Sequence, residues 1–386
     1  MPQRPFELLN LEALLTEEQR LIRDTVRQYV DDRIRPEIAD WFERGELPAQ
    51  ELALEMGEIG MHLEGYECAG TDAISYGLAN LELEAGDSGI RSLVSVQGSL
   101  AMYAIHQWGS EEQKQEWLPR MARGEVIGCF GLTEPDFGSN PSGMRKFAKR
   151  AGEDWILNGT KMWITNGNVA GVAVIWAQTD DGIRGFIVPT STPGFTANLV
   201  HKKMSLRASV TSELVMDNVR LPSDAMLPLA RGLRGPLSCL TEARFGIIWG
   251  VLGAARDCLE TAIDYSISRV QFDRPIGGFQ LTQRKLAEMS VALDTGYLLA
   301  HHLGTLKDAG QIRPEMISVG KFNNAKAAIE IARECRSILG GNGVTLEYPI
   351  IRHANNLEAV FTYEGTHEIH TLVIGEALTG LPAYKG

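Results

Sequence analysis

Most of the motifs that announce a known chemistry are missing from this 386-residue sequence. GxxxxGK[ST], GxSxG, HExxH and GxGxxG do not occur, so a P-loop, a hydrolase nucleophile elbow, a helical zinc pair and a dinucleotide fingerprint are not the starting points. Cysteine is scarce. Cys68, Cys129, Cys239, Cys258 and Cys335 are odd in number and show no CxxC spacing, which suits reduced thiols better than a disulfide framework or a zinc site. Positive charge is short as well: 37 Lys and Arg stand against 49 Asp and Glu, a net charge of −12. That balance disfavours general nucleic-acid binding. Uninterrupted apolar runs, such as residues 246–255, reach about ten residues where a membrane span needs about twenty. The N-terminus lacks a charged-then-apolar signal pattern, and Glu7, Glu12, Glu17 and Glu18 make it too acidic for a transit peptide. The expectation is a cytoplasmic protein without a membrane span and without bound metal.

What is present changes character twice along the chain. Thr16 and Gln19 form a capping-box signature ahead of a helical pattern. Residues 49–60, 73–86, 90–108 and 111–122 continue as helix. From residue 128 glycine, threonine, tryptophan and β-branched residues rise, and Asn158-Gly159, Asn166-Gly167 and Asp181-Gly182 separate apolar runs as hairpin turns do. Helical text returns after Pro236, over residues 239–270, 281–308, 314–339 and 367–378. The order α, β, α gives an N-terminal α-helical domain (1–127), a middle β domain (128–236) and a C-terminal α-helical domain (237–386), an α+β multidomain chain.

Several segments invite a chemical reading, each beside an ordinary one. Residues 130–139 (FGLTEPDFGS) and 339–343 (LGGNG) place glycines where backbone N–H groups can approach a ligand, or simply form tight loops. Residues 161–166 (KMWITN) add an aromatic and a hydroxyl at a strand end. In Tyr363-Glu364-Gly365-Thr366 a carboxylate sits among apolar residues, where burial raises its pKa and suits it to act as a base; the ordinary reading is an acid favoured by a helix N-terminus. His367 and His370 with Glu368 read as helix-face residues, since no third ligand is near. Glu84, Ser88, Arg91, Ser92 and Ser95 share one face of a helix, because seven residues at about 100° return to within about 20° of the start. That face is either a solvated ion-pair surface or an anion site.

Together, FGLTEPDFGS, KMWITNG, SRVQFDRP, LGGNG and YEGT, in this order and over residues 15–384, resemble the acyl-CoA dehydrogenase family of flavoenzymes. SGIRSLVSVQGSL, SLRAS, ARFGIIWG and NLEAVFTYEGTHEIH resemble its glutaryl-CoA dehydrogenase branch. The resemblance implies a C-terminal domain like a four-helix bundle and FAD in a cleft beside the β domain. It places Phe130, Leu132, Thr133, Ser139, Trp163, Ile164 and Thr165 on the isoalloxazine and phosphates. Arg269, Phe272 and Gln280, with Leu339, Gly340 and Gly341, would come from a neighbouring subunit of a homotetramer to the ADP portion, and Thr366 and Glu368 would close the site. Glu364 would take the α-proton of a CoA thioester while the β-hydrogen leaves as hydride to the flavin, and its backbone N–H would hold the thioester oxygen.

Arg91 would bind the distal carboxylate of the acyl chain with Ser92 assisting and Glu84 nearby, a match for a guanidinium fork. Tyr363 and Gly365 would flank the acyl group, and Ser139 and a helix ending at Arg244 would run along the CoA arm. The implied reaction is oxidative decarboxylation of glutaryl-CoA to crotonyl-CoA and CO2, in lysine and tryptophan degradation, with electrons passed to electron-transfer flavoprotein. The alternatives are dehydrogenation of another short-chain or branched acyl thioester without decarboxylation, and a non-enzymatic scaffold of the same fold. Ile90 stands where the branch often has an aromatic residue, which puts the shape of the carboxylate pocket in question.

Overall fold

Thr16 and Gln19 exchange their side-chain and backbone hydrogen bonds at 3.2 and 3.0 Å, and helix α1 (Glu17–Tyr29) starts from this reciprocal cap. The computed structural model describes residues 3–57, 60–145 and 147–384. Helices α2 (Ile38–Arg44) and α3 (Ala49–Met56) follow. The helix expected to reach residue 60 therefore ends at Met56, and residues 58 and 59 lie outside the described residues. A short hairpin of β1 (Glu64–Gly65) and β2 (Cys68–Ala69) precedes α4 (Ala73–Gly86), all of whose residues are buried.

The single helical face expected around residues 84–95 is in fact split between two helices. Asp87 adopts extended backbone (φ −168°, ψ 145°) and caps α5 (Ser88–Ser95) by accepting the N–H of Gly89 at 2.6 Å. Residues far along the chain hold this cap: Arg352 and Asn356 donate to Asp87 Oδ2 at 2.5 and 2.8 Å. A π-helical stretch, Val96–Met102, then leads into α6 (Tyr103–Trp108). Helix α7 (Glu111–Ala122) opens on a second capping box, Ser110 with Gln113.

The middle of the chain is a seven-stranded sheet. Strand β3 (Gly128–Gly131) pairs parallel with β6 (Val172–Thr179), which forms a hairpin with β7 (Gly182–Pro189). Beyond β6, β4 (Phe147–Ala151), β5 (Asp154–Thr165), β9 (Thr211–Leu221) and β8 (Phe195–Leu199) lie side by side, each of these neighbouring pairs antiparallel. Asp181-Gly182 marks the β6–β7 turn, and Asn166-Gly167 leaves the end of β5. Asn158-Gly159 is not a turn. It lies inside β5, where a register shift against β9 absorbs it as a bulge and Asn158 Oδ1 accepts the N–H of Asn218 at 2.8 Å.

Helix α8 (Arg234–Ser268) includes Pro236 in its first turn, and a hairpin of β10 (Val270–Gln271) and β11 (Arg274–Pro275) joins it to α9 (Gln280–Asp308). Helices α10 (Pro314–Leu339), α11 (Ile350–Thr362) and α12 (His367–Thr379) complete the fold, a mixed α+β architecture with a helical C-terminal region. By length and composition α8 alone among the described helices is apolar enough to cross a membrane, yet 72% of that window is buried inside the protein. It packs along α4, α9 and α10 as the central core helix. The α4 crossing is close: a Cβ at Gly253 would lie 1.8 Å from the carbonyl oxygen of Leu81.

Between these two helices Glu82 meets Arg256 at 2.6 and 2.7 Å and Arg27 at 2.9 Å. Burial pushes the Glu82 carboxyl up, but Arg256, reinforced by Arg27, overrides it and leaves it at about 2. A carboxyl lowered in the folded state stabilises the fold above the ordinary carboxylate range, and that contribution fades as pH falls from about 4 toward 2. Glu82→Gln should cost about 3–5 kcal/mol near neutrality, because Arg256 is left buried beside a neutral partner. The difference from wild type should shrink at acid pH, as read by denaturant melts.

Candidate active site

Helix α11 ends where Tyr363 N–H returns to Ala359 O at 2.9 Å, and α12 begins where Thr366 Oγ1 accepts the N–H of Ile369 at 3.2 Å. The turn between them holds Glu364 in left-handed backbone (φ 53°). For a residue with a side chain this costs roughly 1–3 kcal/mol unless the surroundings impose it. Two cations, Lys321 buried and Arg244 half-buried, do so. Lys321 Nζ, from α10, donates to the carbonyls of Tyr363 and, at 2.7 Å, Gly365. Arg244 Nε donates to the carbonyl of Glu364 at 2.6 Å. The helix expected to end at Arg244 continues through it as α8, and the Nε of Arg244 is given to the turn.

The side chain of Glu364 is held differently from its backbone: Oε2 is buried and has no hydrogen-bond partner among the described residues. Burial raises the Glu364 carboxyl above the ordinary carboxylate range, with Arg91, Lys321 and Arg244 pulling the other way and falling short. A carboxylate with a free, desolvated oxygen is equipped to take a proton.

Tyr363 joins this turn to the residues of α4 and α5. Arg91 Nη2 donates to Tyr363 Oη, and Ser92 Oγ lies 3.5 Å from the same oxygen. Arg91 Nε donates to Glu84 Oε2 at 2.6 Å, and Ser88 Oγ donates to Glu84 Oε1 at 2.9 Å. Arg91 is 1% and Glu84 0% exposed, which sets aside the solvated-surface reading. Burial opposes the charge on Arg91, and Glu84 more than restores it. Burial also pushes the Tyr363 phenol up to about 12, so it stays neutral. Ser95, one turn beyond Arg91, has a buried hydroxyl without a partner. Ile90 packs with Val30, Ile34 and Leu93, on a different face of α5 from the partners of Arg91.

The pair rests on α8, where a Cβ at Gly250 would fall 2.2 Å from Glu84 Oε2 and 3.2 Å from Arg91 Nε. Gly250→Ala should therefore displace the pair and cost roughly 1–3 kcal/mol by overpacking, read as a lowered melting temperature.

A second group gathers at the sheet. Phe130 and Leu132 are buried at the end of β3, with Thr133 half-buried beyond them. Met162 N–H donates to Thr133 O at 2.9 Å, and a bulge in β5 between Lys161 and Ile164 turns Trp163 outward (φ 64°), 59% exposed. Ile164 is buried and Thr165 half-buried. Holding an indole in the open at the expense of backbone strain leaves a flat apolar surface for a ring to cover. Glu134 and Lys161 were not singled out from sequence, although both lie inside the motifs. They form a buried pair at 2.9 Å; Lys161 also donates to Leu132 O at 3.0 Å, and Glu134 accepts the N–H of Arg145 at 2.9 Å. This pair ties the loop bearing exposed Ser139 to β5.

Arg269, Phe272 and Gln280 are exposed around the β10–β11 hairpin, Phe272 at 89%. Asn342 Nδ2 donates to Tyr265 Oη at 3.2 Å, which ties the turn Gly340–Val344 to the last turns of α8, just before that hairpin. Leu339 is buried, whereas Gly340 and Gly341 are exposed. The structure assembles this set with itself but not with Glu364, since Leu339 lies roughly 27 Å along α10 from Lys321. Glu368 is exposed in the first turn of α12. His367 is stacked between Phe322 and Phe361, and His370 Nδ1 pairs with Ser318 Oγ at 3.0 Å. Among the described residues no group of His, Cys, Asp and Glu is placed to hold a metal.

Three family models match the chain: acyl-CoA dehydrogenase N-terminal domain over residues 16–125, middle domain over 129–219 and C-terminal domain over 230–379. The mitochondrial short-chain specific acyl-CoA dehydrogenase of Bos taurus is 34% identical over 381 residues, 96% of this chain and 92% of that one. A glutaryl-CoA dehydrogenase from Mycobacterium smegmatis, solved in complex with FADH2, is 66% identical, has a TM-score of 0.98 and is matched over the whole of both chains. A chain from a structure of the electron transferring flavoprotein of Acidaminococcus fermentans is 32% identical, with a TM-score of 0.91, covering 95% of this chain and 98% of that one. The chain belongs to the acyl-CoA dehydrogenase family, and its activity is of that class. The two kinds of likeness name different acyl groups.

Proposed function

We propose that this acyl-CoA dehydrogenase acts on glutaryl-CoA and carries the reaction through to crotonyl-CoA and CO2. The observation that supports this reading is the direct link between two buried groups: the unpartnered carboxylate of Glu364 and, through Tyr363, the guanidinium of Arg91. An apolar acyl chain has no use for a buried arginine at the end of its pocket, whereas a dicarboxylyl chain needs one.

The cofactor is FAD, and the exposed indole of Trp163 on its strained bulge fits a planar ring. Phe130, Leu132, Thr133, Ile164 and Thr165 would hold it there with Ser139 of the neighbouring loop. When bound, FAD supplies the acceptor for the β-hydrogen, which leaves as hydride. The chain's own contribution is the proton. Glu364 removes the α-proton, and its raised affinity for protons favours that transfer. Arg91 holds the distal carboxylate with Ser92 and Ser95. Because Glu84 already shares the charge of Arg91, the carboxylate is oriented without being locked by a lone buried cation. As CO2 departs, the electron pair of the broken carbon–carbon bond spreads into the thioester, and Glu364 returns its proton to the γ-carbon. The second set, around Arg269, Phe272, Gln280, Gly340 and Gly341, would serve the site of a neighbouring copy in a homotetramer. Electron-transfer flavoprotein is the proposed acceptor, supported by the Acidaminococcus likeness.

The short-chain reading is favoured by the curated relatives, and one experiment separates the two. Anaerobic flavin absorbance should bleach with glutaryl-CoA and release CO2; bleaching by butyryl-CoA but not glutaryl-CoA overturns the proposal. Arg91→Ala should cost about 2–5 kcal/mol of affinity for the dicarboxylyl substrate and spare monoacyl substrates in the same titration. Glu364→Gln should keep its flavin and lose dehydrogenation. In wild type the rate should fall as pH drops through the raised value of Glu364, above the ordinary carboxylate range, because the protonated acid cannot act as base. A pH profile of kcat reads this.

A further inference from the structure

We infer that Lys321 is a positioning residue for the base: its ammonium clamps the carbonyls on either side of Glu364 and sets positive charge beside the carboxylate. The inference deepens the proposed function and rests on Glu364 being the base.

Lys321 is 1% exposed in the interior of α10. Both recorded hydrogen bonds of Nζ go to main-chain oxygens, those of Tyr363 and Gly365, rather than to a carboxylate. A fold that buries an ammonium without an ion-pair partner in contact spends desolvation for some return. Here the return is geometric. The carbonyl of Glu364 is turned to Arg244 while its two neighbours converge on one ammonium, so every carbonyl of the left-handed turn is taken by a cation.

The charged and titratable groups around Glu364 come from each packed element. Arg91 on α5 is shared with Glu84 of α4, and Tyr363 is neutral. Arg244 on α8 is spent on the Glu364 carbonyl, and His370 on α12 is kept neutral at about 3 by burial. Lys321 on α10 is the member whose charge depends on its neighbour: burial draws its ammonium down to about 7, and the Glu364 carboxylate opposes that fall. Below that value Lys321 carries its proton, and a positive charge beside the carboxylate favours the ionised base.

The test uses the full-length, FAD-loaded enzyme and a CoA thioester with sulfur in place of the β-carbon. Such a thioester exchanges its α-hydrogens in D2O but has no hydride to give. Deuterium uptake against pH reads the base directly. In Lys321→Met the acid limb should move up by about one pH unit, with about tenfold slower exchange on the acid side, while Lys321→Arg keeps the limb at its wild-type position. If Lys321→Met does not fold, Lys321→Gln against Lys321→Arg carries the same comparison, with flavin absorbance and melting temperature as checks on folding. A folded neutral variant with an unmoved limb, even if less stable, makes Lys321 merely structural and overturns the inference. A limb displaced equally in Lys321→Arg overturns the role of charge. Wild-type enzyme that exchanges at no pH refutes Glu364 as base instead, a failure distinct from either of these.

Discussion

The constraint on which the rest of the site depends is a single backbone conformation. Glu364 is left-handed, and the carbonyls of residues 363 to 365 are each satisfied by a cation from α8 or α10. Released from those bonds, the turn would relax toward ordinary backbone, and the side chain of Glu364 would leave its partnerless pocket for water. The same cations temper the cost of an ionised carboxylate there without a direct salt bridge to Oε2. The pair that fixes the geometry thus also tempers a proton affinity that burial raises and Arg91 opposes.

The second half of the site is registered to the first through α11. Arg352 and Asn356 on this helix hold Asp87, which starts α5 and so places Arg91. Asn356 also accepts the N–H of Leu206 from the middle of the chain at 2.8 Å. Two turns further on, the helix delivers Tyr363 and Glu364. One rod thus fixes the span between the guanidinium and the carboxylate. On the proposed reading that span selects the length of the acyl chain, since neither end can shift without the other.

What was legible in the sequence was local or carried by resemblance. The capping box at Thr16 and the turn at Asp181 depend on residues within three or four positions and behave as written. The gap between the stretches 73–86 and 90–108 falls at Asp87 as read, but the partners that hold Asp87, Arg352 and Asn356, lie more than 260 residues away and were not legible. Helix α11 was hidden for a related reason: Arg352, His353 and Asn356 are buried polar residues that pair with Asp87 and Asp257, and hydropathy reads them as surface. Asn158-Gly159 has turn chemistry but was captured by β9. In the site, Glu84, Arg91, Ser92, Tyr363 and Glu364 lie together as the resemblance implied, although across two helices rather than on one face. Arg244, Lys321 and Lys161 act through main-chain oxygens, a role that leaves no signature in residue type.

The crossing of α4 and α8 also bears on how the chain reaches this state. Every residue of α4 is buried, largely against a helix that starts about 150 positions later. During synthesis at about 5–20 residues per second, α4 would wait roughly ten seconds or more for α8 to clear the ribosome, while the intervening sheet forms. Its apolar surface is uncovered for that interval, so the nascent polypeptide is exposed to chaperone capture and to aggregation at the stage when its first domain looks finished but has no lid.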